Sequence, residues 1–382
     1  MKPMIRVLAA GMLAATLGGC GLWGGPDEIE PAELVDFDAE KEVSVLWSAQ
    51  VGDGPGEGYH QFAPAIGESR VYATDAEGEV HAFDRASGNR LWEVELDMRL
   101  SGGVGYGFGT VVVASENGEV IALDSDSGAE LWRSRVASEV VAQPQVNANL
   151  VVVQVINGQV TALDRVTGEQ LWTYDSQIPQ LSLRGTSAPV VTPQATLTGF
   201  ANGKLIAIDN ASGNALWEER IALAEGRSEL ERIVDIDGRP LLYNGTVFVS
   251  SYQGRLVALN PYGPRIIWNI DFSSYRSLAA GFGNIYAISA DDKIDALDAG
   301  SSASVWQQPA LYFRGLTSPA VIGNTLVVGD SLGYLHFMSQ VDGHFVARYN
   351  FDSSGIYSDP QVVDNVLYVL SNDGRLSALT LN

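Results

Sequence analysis

An all-β chain folded as an eight-bladed β-propeller is what the sequence predicts, with four-stranded antiparallel blades and a ring closed by an N-terminal strand. Three observations lead there. One motif recurs along the chain at a period of about 40–45 residues, the spacing of propeller repeats. The first copy is a tail without a head and the last a head without a tail, so the two ends together complete one unit. The composition is rich in turn formers and poor in charge: the 382 residues include 41 Gly, and 18% are charged, against roughly 7% Gly and about a quarter charged in an average domain.

The N-terminal element is an address. Lys2 and Arg6 supply a positive start, and Val7 to Leu17 is an apolar stretch too short to span a bilayer. It ends in Leu17-Gly18-Gly19-Cys20, which resembles the cleavage box of bacterial lipoproteins. Residues 1–19 are therefore expected to be a signal peptide, with Cys20 as the lipidated residue. The competing reading is an ordinary signal with a chance cysteine, which would leave the chain's single Cys as an unpaired thiol. Acyl chains anchor a protein on a membrane without crossing it. By analogy with such lipoproteins, Gly21 in place of Asp implies the outer membrane. Residues 20–42 follow, rich in Gly, Pro and acids, and read as a flexible acidic tether.

The propeller is expected over residues 43–382. Its clearest unit runs from Asn117-Gly118 through Ala122-Leu123-Asp124 and Ser127-Gly128 to Leu131-Trp132. Copies begin at Gly78, Gly158 and Gly203, and weaker ones at Gly254, Asp292 and Gly333, the last with Ala347 at the Trp position. An eighth starts at Gly374 and runs out at the C-terminus, while Val43 to Trp47 is the missing tail. Within each unit, β-branched runs such as Val111-Val112-Val113 suit buried strands. Asn-Gly is a hairpin signal. Asp-x-x-Ser/Thr-Gly is a second turn, in which Asp accepts backbone N–H bonds and Gly supplies positive φ. The Trp is expected on the outermost strand, filling the wedge between sheets. The alternative arrangement is seven blades and an extra hairpin.

Connections between units single out two loops. From the Trp position to the next small-x-Pro is 12 residues at Trp132–Pro144 and 13 at Trp306–Pro319 and Ala347–Pro360. It lengthens to 17 at Trp172–Pro189 and 23 at Trp217–Pro240. Equivalent connections emerge on one face, so Tyr174–Gly185 and Ile221–Arg239 extend side by side. In the first, alternation puts Leu181 and Leu183 on one side with Arg184 beside them, a pattern suited to a protein-binding anchor. The second begins with a possible short helical turn and ends in the paired carboxylates Asp235 and Asp237. The other reading tucks the Leu pair under the loop and lets the acids cap it.

Charge and chemistry exclude several functions. With 23 basic against 46 acidic residues, net −23, the chain is no nucleic-acid binder and is not drawn electrostatically to anionic lipid. No apolar run reaches the length of a transmembrane helix. His60, His81, His336 and His344 have no metal-ligand spacing, and one Cys cannot make a thiolate metal site. Gly103 to Gly107 lacks the βαβ context of a nucleotide loop and falls where a first strand belongs. The regular Asp residues read as one structural turn used repeatedly. No catalytic, cofactor or metal residues are assigned.

The Ala-Leu-Asp-x-x-x-Gly-x-x-x-Trp units resemble the repeats of pyrroloquinoline quinone (PQQ) dehydrogenases, but the adjacent Cys pair those enzymes use is absent. A closer resemblance, over essentially the whole chain, is to the BamB family of outer-membrane assembly lipoproteins. It is carried by the signal and Cys20, the repeats, Leu181-Ser182-Leu183-Arg184-Gly185, Asp235-Ile236-Asp237, and Val328 to His336. The resemblance implies a non-enzymatic scaffold without a cofactor, lipid-anchored at the outer membrane and facing the periplasm. It implies docking on the periplasmic POTRA domains of BamA and help in inserting outer-membrane proteins, with unfolded clients as further candidate partners. The residues it points to for docking are Leu181, Leu183, Arg184, Asp235 and Asp237. A quinone-dependent dehydrogenase and a generic envelope-binding propeller are the rival readings.

Overall fold

The computed structural model describes residues 30–56, 62–183 and 185–382. The expectations for residues 1–19, Cys20, His60 and Arg184 fall outside these residues. The compact unit begins at Pro31.

Eight four-stranded antiparallel sheets succeed one another, seven of them with their strands in sequence order from the inside outward. Blades 1 to 7 span residues 65–95, 100–135, 145–175, 190–220, 241–271, 279–308 and 320–350. Blade 8 takes three strands from the C-terminus, Gln361–Val363, Val366–Leu370 and Arg375–Leu381, and its outermost strand from Val43–Gln50. The closing pair runs from Val43 opposite Leu381 to Gln50 opposite Arg375. Eight complete blades replace the seven-blade alternative.

This strand order defines two faces. The first-to-second and third-to-fourth strand turns lie on what we term the hairpin face. The second-to-third turns and the connections between blades lie on the opposite, connection face.

The repeat works as its chemistry dictates. In blade 3, Asp164 Oδ1 accepts the N–H of Thr167 at 2.8 Å and of Val166 at 2.9 Å. Gly168 then turns the chain at φ +72°, a conformation that favours glycine. A Cβ at Gly168 would lie 2.6 Å from the Trp132 ring, so the position needs glycine for space as well. Each Trp occupies the outermost strand and donates its indole N–H across to the next blade: Trp132 to the Arg165 carbonyl at 2.8 Å, Trp172 to Asn210 at 2.8 Å, Trp306 to Gln340 at 2.9 Å. Blade 7, with Ala347, has no such indole.

The core is distributed in the same way. Eight buried apolar clusters lie one between each pair of neighbouring blades, for example Val112, Val120, Val151 and Val153 between blades 2 and 3. The last two, between blades 7 and 8 and between 8 and 1, draw on both ends of the chain.

The tether expected over residues 20–42 departs from expectation in its second half. Residues 31–42 form a strap along the outside of blade 7. The Ala32 N–H bonds the Tyr312 carbonyl at 2.9 Å, and the N–H groups of Glu40 and Lys41 bond the Val346 carbonyl at 2.9 and 3.1 Å. Phe37 packs on Phe345, ring centroids 5.5 Å apart. On the other blades the residue before the Trp position is an exposed aliphatic, such as Leu46, Leu131 or Leu216; its counterpart under the strap, Val346, is only 4% exposed.

Candidate functional site

The two long connections leave blades 3 and 4 on the connection face and cross toward the next blade's inner strand. The first is pinned at its start, where Ser176 N–H bonds the Gly158 carbonyl at 3.0 Å and Asn202 Nδ2 donates to the Gln177 carbonyl at 2.6 Å. It is pinned again at its end. Thr186 Oγ1 accepts the Ala142 N–H at 3.2 Å, and Ser187 Oγ donates to the Gly238 carbonyl at 3.1 Å. Between these pins Leu181 is 43% exposed, while Ser182 and Leu183 are half-buried.

The second connection contains one capped turn. Ser228 Oγ accepts the Glu231 N–H at 3.2 Å, and Glu231 Oε2 accepts the N–H groups of Arg227 and Ser228 at 2.6 and 3.2 Å. This is the reciprocal geometry of a capping box. Arg232 N–H bonds back to the Glu229 carbonyl at 3.2 Å. The turn lifts Leu230 to 68% exposure, and Leu223 is exposed at the start of the same loop. After it the chain dives inward: Ile233, Val234 and Ile236 are buried, and Tyr252 N–H bonds the Asp235 carbonyl at 2.7 Å.

Asp235 and Asp237 lie beneath the loops, at 1% and 6% exposure. The Asp235 carboxylate lies near the backbone N–H groups of Ile236 and of Leu183 in the first loop, which offset part of the cost of burying it. A Cβ on Gly185 would come within 2.6 Å of Asp237 Oδ1, which shows how closely the first loop's backbone passes over this acid. Among the described residues, Asp235 Oδ2 and Asp237 Oδ1 accept no hydrogen bond. Burial, and then the neighbouring Asp237 charge, push Asp235 up to about 9, and burial pushes Asp237 up to about 7. A small polar cavity beside the pair is lined by Gln154, Ser182, Thr186 and Asp235.

The structure therefore brings Leu181, Leu183, Asp235 and Asp237 together, with different exposures. Leu181 is exposed, Leu183 is half-buried, and the acids are buried beneath the loops. Each of the two readings of the loops describes part of the arrangement. Leu223 and Leu230 add apolar surface that the sequence did not mark, because Leu230 stands among charged residues and Leu223 follows Ile221 and Ala222, which are buried. Among the described residues, no group of three or more His, Cys, Asp or Glu is placed to hold a metal ion.

A family model described as outer membrane protein assembly factor BamB matches residues 76–308 and 290–382. A protein of that name from Pseudomonas aeruginosa is 50% identical over 380 residues, covering 99% of this chain and all of that one. The BamB of Escherichia coli is 35% identical over 387 residues, covering 98% and 99%. Among solved structures, the crystal structure of BamB from Moraxella catarrhalis superposes with a TM-score of 0.82 at 27% identity, covering 89% of this chain and 100% of that one. A quinohemoprotein alcohol dehydrogenase from Comamonas testosteroni, with a TM-score of 0.71 at 14% identity over 89% of this chain and 76% of its own, shares the fold alone.

Proposed function

Because the chain belongs to the BamB family of outer membrane protein assembly factors, we propose that it is a non-enzymatic scaffold of the barrel assembly machinery, binding the periplasmic POTRA region of BamA. It sits on the periplasmic face of the outer membrane, anchored by lipid on Cys20, and helps β-barrel proteins insert. Leu181 buries apolar surface against the partner, and Arg184 pairs with a partner carboxylate. Leu183, Asp235 and Asp237 hold the docking loop in shape.

The observation that best supports this reading is the pinning of the first loop at both ends, by the Ser176 N–H on the Gly158 carbonyl and by Ser187 Oγ on the Gly238 carbonyl. It presents an exposed leucine on a loop ordered before any partner arrives, and pre-ordering lowers the entropic cost of association. The exposed aliphatics along the blade edges support a second, auxiliary role: extended client segments pair with these edges by β-augmentation.

Affinity capture from detergent-solubilised envelopes tests the main reading. The wild type is compared with Leu181→Asp/Arg184→Glu, both checked by thermal melting. Recovery of BamA with the wild type and its loss with the folded variant is the expected result. Equal recovery moves the interface elsewhere, and no BamA with either protein removes the POTRA assignment.

A further inference from the structure

Blade 7 carries an ionic cluster that no other part of the site uses. Asp330 is fully buried. Its Oδ2 accepts Arg314 Nε at 2.7 Å and His336 Nε2 at 2.8 Å, and its Oδ1 accepts the Tyr334 N–H at 2.9 Å. Arg348 Nε approaches His336 Nδ1 at 3.3 Å. With Nε2 donating to the carboxylate and Nδ1 accepting from a guanidinium, the imidazole is neutral, and burial holds His336 below its ordinary value.

Both arginines turn a remaining nitrogen outward to the strap. Arg314 Nη1 donates to the Ala32 carbonyl at 2.7 Å, and Arg348 Nη1 to the Val35 carbonyl at 3.0 Å. The Arg348 guanidinium also lies over the Phe37 ring, 4.9 Å from its centroid. Charged donors fixed from beneath by a buried carboxylate make stronger and better-aimed bonds than free surface arginines. At the far end, Lys41 Nζ bonds Asn324 Oδ1 at 2.6 Å and His344 Nε2 lies 3.0 Å from Glu40.

These contacts give the strap a direction. Ala32 lies against Tyr312 and Arg314, in the connection between blades 6 and 7, on the connection face. Lys41 reaches Asn324 in a first-to-second strand turn, on the hairpin face. Glu42 then pairs with Asn382, where the closing strand begins. Without the strap, the folded body would be left at Val43, on the hairpin face. With it, the body is left at Pro31, on the connection face, the face that bears the Leu181 and Leu230 loops.

We propose that the strap is a routing element that brings the lipid anchor out on the connection face, so that the docking loops and the membrane meet the same side of the propeller. This rests on Cys20 being the anchor. The strap shortens the stretch of chain between Cys20 and the folded body from residues 21–42 to residues 21–30. At about 3.3–3.6 Å per extended residue, that shortens its longest reach from roughly 75 Å to roughly 35 Å. Blade strands are about 17–20 Å long, so leaving from the connection face puts the anchor a blade's height nearer that rim of blade 7.

Headgroup quenching in vesicles tests this. The full lipidated protein is reconstituted into phosphatidylethanolamine–phosphatidylglycerol vesicles carrying a nitroxide headgroup quencher. A fluorophore is placed through Leu332→Cys on the connection face or Val341→Cys on the hairpin face; both positions are exposed and belong to the same blade. The Leu332 position is expected to be quenched severalfold more strongly. Replacing residues 32–41 by a Gly-Ser segment of equal length leaves the blades untouched and is expected to abolish or reverse that preference. Equal or opposite quenching in the wild type overturns the proposal, as does a preference that survives strap replacement. Flotation with Cys20→Ala reads the anchor separately. If wild type fails to float, or the Ala variant floats as well, the anchor reading falls and this inference falls with it.

Discussion

Two buried carboxylates show how much a single side chain's surroundings decide. Asp235 and Asp237 hold their protons above the ordinary carboxylate range, so between about pH 4 and pH 9 the folded chain binds more protons than the unfolded one. Their contribution to stability is complete below the unfolded value and is lost as pH rises through the folded values. Thermal midpoints are therefore expected to fall as pH rises from about 5.5 to about 8.5. Asp235→Asn is expected to flatten that fall and melt higher at the alkaline end; parallel slopes for the two proteins would refute the assignment. At Gly168, Ala adds both a strained φ and a clash with Trp132, and is expected to cost at least about 2 kcal/mol in a denaturant titration. The two sites differ in legibility. The Asp164-to-Gly168 turn contains its own donors and acceptors within five residues, so the sequence displays it. The carboxylate of Asp235 is buried near a loop some fifty residues earlier, and nothing near it in the chain shows that the Leu183 backbone will lie beside it.

The strap is the element that the sequence hid. Its composition, with five acids among the twelve residues 31–42 and Pro31 at its start, is that of a linker, and the groups that hold it come from residues some three hundred positions away. Ala32, Leu34 and Phe37 are half-buried, a spacing that fits neither a helix nor a strict two-residue alternation. The resemblance carried by Val328 to His336 pointed to the right stretch without its purpose: Asp330 and His336 form the base on which Arg314 and Arg348 are held. Phe37→Ala removes a ring that contacts both Arg348 and Phe345. It is expected to cost about 1–3 kcal/mol at most locally, read as faster amide exchange across Phe345–Asn350 with little change in the global melt. Unchanged exchange there would mean that the ring contributes nothing to holding the strap. The long loops were more visible, because their length is simply counted. Alternation puts Leu181 and Leu183 on one side, whereas the structure exposes Leu181 and half-buries Leu183.

At the scale of the whole molecule, stability lies in eight similar seams, none of which is complete without its neighbour. The ring has no free seam because Val43–Gln50 pairs with Arg375–Leu381. Deleting Val43–Gln50 is expected to cost the protein its single cooperative melt and give a broad, aggregation-prone transition, followed by circular dichroism; a sharp melt near the wild-type midpoint would contradict this. This level was the most legible, since the period, the split unit and the Trp positions each specify it independently. The strap also decides how the folded ring bears load. A pull on a chain that left the body at Glu42 would act at the first rung of the closing pair, Val43 with Leu381, and could peel the rungs one after another. With the strap in place, the pull arrives first at Ala32 and Val35, whose carbonyls are gripped by Arg314 and Arg348. Those bonds and the Phe37 contact must give way before tension reaches the closing strand. Under the proposed Cys20 anchor, drag on the propeller would thus be borne by a continuous blade, with the joint between the two chain ends slack.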